Sequence, residues 1–163
     1  MKKFRLAKDR IFIYTISLYF AGLVFGIFLI RGVSLPHSSN RNFLEVFAAN
    51  YWYIFLIWLM GFSLIGLIFS SLIIFFRGFL FGALLAVLFP DAFRQLVFLL
   101  LLEIVLFLPA FLLVSYFSLA LSLRSFMNLF SYQNLNLKVY FNIMIIATII
   151  IVIYSIIIIV YQV

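Results

Sequence analysis

The chain has 163 residues, of which 69% are hydrophobic and 9% are charged, and its 11 Lys and Arg residues outnumber its 4 Asp and Glu residues. A soluble domain has roughly half apolar residues and about a quarter charged residues, so a water-soluble core of this size cannot bury the apolar excess. The composition predicts an all-α, polytopic membrane helix bundle that forms a single domain over residues 1–163. Because the chain has no Cys and one His, disulfides and sites built from several Cys or His ligands are excluded, and we expect no cofactor.

The N-terminus is basic and precedes the first apolar run, residues 11–30, which predicts the first helix. Ile30 and Arg31 follow where a cleavable signal peptide would have a small-x-small site, so we expect a retained helix. Gly22 and Gly26 form a G-x-x-x-G motif, which predicts a face where another helix approaches closely.

Residues 51–89 contain one charge, Arg77, in 39 residues. A single helix of that length would measure about 58 Å, against a hydrocarbon core of ~30 Å, so the chain must reverse. The candidate breaks are Gly61, Ser63, Gly66 and the Ser70-Ser71 pair. We predict helices at residues 51–68 and 71–89 with a very tight turn between them; a re-entrant hairpin is the alternative. The aromatic run at residues 51–53 is typical of a membrane boundary, and residues 43–50 could form a short interfacial helix before it.

Glycines recur through this region and predict further close helix contacts. Gly61 and Gly66 lie near the reversal, and Gly78 and Gly82 form a second G-x-x-x-G motif beside Arg77. We place Arg77 inside or near the start of the third helix, where its side chain could snorkel to the headgroups.

The fourth and fifth helices are predicted at residues 96–121 and 139–161, with polar loops before each. The fourth helix contains Pro109, which predicts a kink because proline lacks the amide hydrogen. It also contains Glu103, and an ionisable group inside a membrane helix is a functional-site hypothesis by default. Glu103 could bind a proton, pair with Arg94 or Arg77, or contact a partner. The alternative is a structural role, in which Glu103 is protonated, hydrogen-bonded to Ser or Tyr, or near the interface.

The distribution of Lys and Arg predicts a cytoplasmic N-terminus. With five helices, eight basic residues fall on the cytoplasmic side and three, Arg31, Arg41 and Arg94, on the other. The cytoplasmic set contains Arg77 and the candidates for contact with lipid headgroups or a partner: Lys2, Lys3, Arg5, Lys8, Arg10, Arg124 and Lys138. We interpret the basic charge as topological and expect no nucleic-acid partner.

No catalytic set is evident in the sequence. His37 lies among serines, but no G-x-S-x-G elbow and no phosphate-binding G-x-x-x-x-G-K-[ST] loop is present, although these motifs carry the corresponding chemistry. We therefore expect a protein that is not an enzyme.

One segment resembles the stage II sporulation protein M (SpoIIM) family. The resemblance rests on Ile57-Trp58-Leu59-Met60-Gly61, Gly66 and Phe76-Arg77-Gly78-Phe79-Leu80-Phe81-Gly82 within residues 55–88, with a weaker match from Pro109-Ala110 to residues 118–123. The resemblance implies a non-enzymatic scaffold of the bacterial cytoplasmic membrane that gathers partners such as cell-wall hydrolases. Related small proteins occur beside ATPase subunits in circular-bacteriocin gene sets.

Three functional hypotheses follow. The first is a scaffold or assembly subunit of a multi-protein membrane complex of the cell-wall remodelling type. The second is a membrane subunit of an ATPase-driven complex for peptide or bacteriocin maturation, secretion or immunity. The third is a channel or transporter formed by a homo-oligomer, since a transport path usually needs several intramembrane polar groups.

Overall fold

The computed structural model describes residues 2–30, 42–63, 65–91, 93–128 and 137–161. Six α-helices and one π-helical turn follow in chain order: α1 Lys2–Leu29, α2 Phe43–Met60, α3 Gly66–Asp91, α4 Phe93–Leu102, the π-turn Glu103–Phe107, α5 Leu108–Asn128 and α6 Leu137–Val160. The described part of the chain contains no strand.

Five stretches are long and apolar enough to cross a membrane: Arg10–Leu29, Phe43–Met60, Gly66–Leu88, Arg94–Leu123 and Lys138–Val160. The prediction of an all-α bundle with five spans is confirmed, and the chain is a multi-pass membrane protein. The loop predicted after the first helix and the polar stretch before the last one fall largely on residues 31–41 and 129–136, which lie outside the described residues.

The second helix starts eight residues before its predicted boundary. Asn42 precedes α2 with an extended backbone, and its amide donates to the carboxylate of Glu45, 3.3 Å away. This is half of a capping box, in which the third helical residue binds back to the cap. Residues 43–50 are therefore the first turns of α2 rather than a separate interfacial helix, and the aromatic run at residues 51–53 lies in its middle.

The reversal lies between the end of α2 at Met60 and the start of α3 at Gly66, at the predicted breaks Gly61, Ser63 and Gly66, and the predicted turn between residues 68 and 71 is wrong. Ser70 and Ser71 both lie inside α3, where their hydroxyls have partners on α5 and on α3 itself. Ser71 Oγ donates to the Leu67 carbonyl at 2.7 Å, and Ser70 Oγ lies 3.3 Å from Ser118 Oγ. The turn forms instead between two glycines, and a Cβ on Gly66 would overlap the carbonyl of Met60.

The two G-x-x-x-G motifs pack against each other. Cβ atoms on Gly22 and Gly26 would overlap the backbone of α3 at Phe75 and Phe79, and Cβ atoms on Gly78 and Gly82 would overlap the backbone of α1 at Tyr19 and Leu23. Residue numbers rise together along both helices, so α1 and α3 run parallel with their backbones in contact. Small residues allow such an approach in membrane bundles.

The fourth span is not one regular helix. It combines α4, the π-turn and α5, and in the π-turn the Leu108 amide donates to the Glu103 carbonyl five residues earlier. Pro109 is the second residue of α5. The irregularity that was predicted at Pro109 therefore begins before it, at Glu103.

One end of the bundle, here called the basic end, holds the start of α1, the α2–α3 turn, the end of α5 and the start of α6. Contacts define it: Tyr14 Oη donates to Ser71 Oγ at 3.1 Å, and Ser122 Oγ donates to the Ser63 carbonyl at 2.9 Å. The backbone of Lys2–Asp9 continues α1 past the first span at this end.

Candidate functional site, a polar cluster between the five spans

An ion pair lies at the centre of the bundle. Arg77 Nη2 is 2.9 Å from Glu103 Oε1 and 3.2 Å from Oε2. Glu103 is 1% exposed and Arg77 is 8% exposed. The pair joins α3 to the start of the π-turn.

Both charges lie near the middle of their spans, so of the two positions considered for Arg77, inside the third helix or near its start, the structure shows the first. Because α3 begins at Gly66, Arg77 lies about 17 Å along it at 1.5 Å per residue. Glu103 lies about 14 Å along the span that begins at Arg94. Half of a ~30 Å hydrocarbon core is about 15 Å, so neither side chain snorkels to a surface.

Each of the other three spans adds one polar side chain to the pair. Tyr19 Oη of α1 donates to Glu103 Oε1 at 3.1 Å, and Tyr154 Oη of α6 donates to Glu103 Oε2 at 2.8 Å. Asn50 Oδ1 of α2 accepts from Arg77 Nη2 at 3.3 Å, while Asn50 Nδ2 donates to the Val46 carbonyl at 2.8 Å. All five spans therefore meet at one network, here called the central cluster: Tyr19, Asn50, Arg77, Glu103 and Tyr154.

Aromatic rings enclose the guanidinium. Arg77 Cζ lies 4.2 Å from the ring centroid of Phe107, at the end of the π-turn, and 5.9 Å from that of Tyr53. A desolvated cation over an aromatic face is stabilised by about 2 kcal/mol or more. The π-turn thus supplies both the carboxylate beside the guanidinium and the ring that covers it.

The cluster is nearly saturated with hydrogen bonds. The carboxylate accepts from Arg77 and from two tyrosine hydroxyls, and its charge is neutralised by the cation. Arg77 Nε is buried without a partner in the described structure. Removing one member of a buried pair typically costs 3–5 kcal/mol, ~100-fold or more in the folding equilibrium. The arrangement is suited to holding five helices in one register.

A second polar set lies toward the basic end and binds the carbonyls where α2 ends. Ser118 Oγ of α5 donates to the Ile57 carbonyl at 2.6 Å, and Tyr140 Oη of α6 donates to the Trp58 carbonyl. The Gly61 amide, which caps α2, lies 3.2 Å from each of these two carbonyl oxygens and is shared between them. The hydroxyls of two other spans add a second donor to each carbonyl and join the end of α2 to α5 and α6. A Cβ on Gly61 would overlap the Tyr140 hydroxyl, which accounts for a glycine at this position.

The structure separates the remaining predicted residues from these clusters. Arg10 and Lys138 are exposed, and Pro109 is exposed beside the π-turn. With Arg77 in the centre, the set of basic residues that was predicted to be cytoplasmic falls from eight to seven, and the set predicted on the other side keeps three. Arg31 and Arg41 of the latter lie outside the described residues.

Sequence reasoning singled out Arg77 and Glu103 but not the polar side chains that bind them. Tyr and Ser are common in membrane helices, and nothing in their spacing marks Tyr19, Tyr154 or Ser118 as members of a network. A search of family models, of curated proteins and of solved structures finds no match to this chain.

Proposed function

We propose that this protein is a non-enzymatic scaffold or assembly subunit of the bacterial cytoplasmic membrane and a divergent relative of the SpoIIM family. The observation that supports this proposal is the central cluster. The two intramembrane charges that sequence analysis marked as functional candidates neutralise each other and join all five spans. The ion pair thus stabilises the arrangement of the five spans. Contacts with partners would then be made by the outer surface and the ends of the bundle.

The proposed orientation places the N-terminus in the cytoplasm. In this orientation seven basic residues are assigned to the cytoplasmic side and three to the other side. Lys and Arg are enriched in cytoplasmic segments of membrane proteins. Because the chain has no Cys, single-Cys variants test the orientation directly. A membrane-impermeant maleimide applied to intact cells should label Arg31→Cys and leave Lys3→Cys unlabelled until the membrane is permeabilised. The reverse pattern would invert the proposed topology.

The alternative is a membrane subunit of an ATPase-driven peptide or bacteriocin complex. It is favoured by Lys2–Asp9, which extend α1 beyond the first span as a basic helical segment of about 12 Å. Such a segment suits an acidic surface of a soluble subunit or anionic headgroups. An oligomeric channel or transporter ranks third, because the ionisable groups of the central cluster lie enclosed within one chain rather than along an outer face.

Purification of the tagged protein from its native membranes in mild detergent, followed by mass spectrometry, separates these hypotheses. Recovery of cell-wall hydrolases supports the scaffold. A near-stoichiometric ATPase, lost when Lys2, Lys3, Arg5, Lys8 and Arg10 are changed to Gln, supports the alternative. Arg31→Gln with Arg41→Gln is the matched control, because it removes positive charge from the opposite end. A defined homo-oligomer without other proteins would contradict both and favour the channel.

A further inference from the structure

The π-turn adds one residue to the fourth span, and the burial pattern shows why it is needed. Leu99 of α4 and Ser118 of α5 are both buried and are 19 residues apart. At 3.6 residues per turn, 19 residues make about 5.3 turns, whereas 18 make about 5.0. In a regular helix the two residues would face directions about 100° apart. The π-turn absorbs the extra residue, so that α4 and α5 both face the core.

The two halves of this span are held with different strength. The α5 half is fixed toward the basic end by Ser118 and Ser122, which donate to carbonyls at the end of α2 and in the turn. The α4 half has 10 residues, of which Leu96, Leu99 and Leu102 are buried and Val97 and Leu101 are exposed. Its ionic connection to α3 is the pair of Glu103 with Arg77, where the π-turn begins.

Pro109 affects both registers of this span. A proline has no amide hydrogen, so the carbonyl that residue 109 would bind, at residue 105 in an α-helix or 104 in a π-helix, gains nothing from it in either register, and in the α-helical register its ring also keeps a kink at the carbonyl of residue 105. π-turns inside α-helices are frequent at functional sites, and a span with an irregular turn can exist in two arrangements when a side-chain contact selects between them.

We propose that the π-turn Glu103–Phe107 is a hinge between a fixed α5 half and a movable α4 half of the fourth span, latched by the Arg77–Glu103 ion pair. When the ion pair is broken, the π-turn relaxes to α-helix and the α4 half rotates by up to about 100°. The hinge couples the centre of the bundle to the end opposite the basic end. This inference does not depend on which partner the protein binds.

Two cross-linking pairs report the two halves separately. Phe98 of α4 and Tyr161 after α6 have ring centroids 4.8 Å apart, so Phe98→Cys with Tyr161→Cys and a short bis-thiol cross-linker reports the α4 half. Phe12 of α1 and Tyr116 of α5 have ring centroids 6.3 Å apart, so Phe12→Cys with Tyr116→Cys and the same cross-linker reports the α5 half without removing the contacts of Ser118 and Ser122. The chain contributes no competing Cys, and both assays run in native membranes without any partner.

The latch is tested by the double variant Arg77→Met/Glu103→Gln, which removes the ion pair without leaving an unpaired charge. Cross-linking of the α4 pair should fall at least fivefold in this variant, and cross-linking of the α5 pair should stay within twofold. Deletion of Val105 in the double variant removes the extra residue, so a regular helix again turns α4 and α5 to the core and the α4 signal should recover; Val105→Ala in the double variant is its control and should not restore it. Unchanged α4 cross-linking in the double variant would overturn the hinge, and so would an equal loss in both pairs, because that would mean general loosening of the bundle.

Discussion

The central cluster predicts a strong energetic coupling between Arg77 and Glu103. Arg77→Met leaves a buried carboxylate with two tyrosine donors and no cation, and Glu103→Gln leaves a buried guanidinium without its counter-charge. Breaking a buried pair by removing one partner costs about 3–5 kcal/mol. We therefore expect each single variant to lower the folding equilibrium constant by roughly a hundredfold to a few thousandfold.

The double variant Arg77→Met/Glu103→Gln should be far more stable than either single variant. Replacing both members of a buried pair by neutral groups of similar volume is often nearly neutral, and the glutamine can still accept from the tyrosine hydroxyls. The double-mutant cycle should give a coupling energy of at least about 2 kcal/mol. Arg94→Gln is the control, since Arg94 is exposed and should change stability by less than about 0.5 kcal/mol.

The assay is reversible unfolding in mixed micelles, followed by circular dichroism and by the fluorescence of the two tryptophans. The slope of the transition shows whether a variant changes stability or the extent of unfolding. Single-variant costs below about 1 kcal/mol that simply add in the double variant would refute the reasoning. That result would mean that water or headgroups reach the pair.

Two further predictions concern the contacts that surround this cluster. Gly78→Ile should destabilise the bundle by more than about 2 kcal/mol, within the range of overpacking, because its side chain would overlap the backbone of α1. Ala21→Ile on the exposed side of α1 is the control. Equal effects of the two substitutions in unfolding titrations would contradict a close contact between α1 and α3. Ser118→Ala should cost about 0.5–1.5 kcal/mol, the usual net value of one hydrogen bond, because the Ile57 carbonyl keeps the Gly61 amide as a donor. Ser17→Ala, which removes an exposed bond within α1, should cost less in the same assay.

The five spans could be predicted from the sequence because apolar length is a direct requirement of the bilayer. The boundaries of α2 and α3 could not, because Ser70 and Ser71 resemble turn residues unless their partners are known. Inside a membrane helix, serine satisfies its hydroxyl on a carbonyl four residues earlier or on another helix, and both occur here. The start of α2 was readable in principle from Asn42 and Glu45, which have capping-box spacing.

Two of the five residues of the central cluster could be singled out from the sequence. Arg77 and Glu103 stand out because charges inside a span are rare and costly, and Arg77 was among the partners considered for Glu103. The sequence left two positions open for Arg77 because its depth depends on where α3 begins. The π-turn was missed because an extra residue shows only when the buried faces on both sides of it are known.

The location of the polar groups explains how so apolar a chain selects one helix arrangement. Lipid tails are as apolar as Leu and Ile, so burying apolar side chains against another helix gives little preference for one partner over another. Three kinds of contact do discriminate between arrangements: the glycine faces of α1 and α3, the hydroxyls that bind the end of α2, and the central cluster. The cluster needs one side chain from every span, so only an arrangement with all five helices in register satisfies it.

The charges of the cluster do not prevent insertion of the spans into the membrane. An Arg at mid-span costs about 2.5–3.5 kcal/mol on insertion scales, and several Leu, Ile and Phe residues at about 0.3–0.6 kcal/mol each offset this cost. The ion pair therefore stabilises one helix arrangement after insertion, when the spans associate with one another.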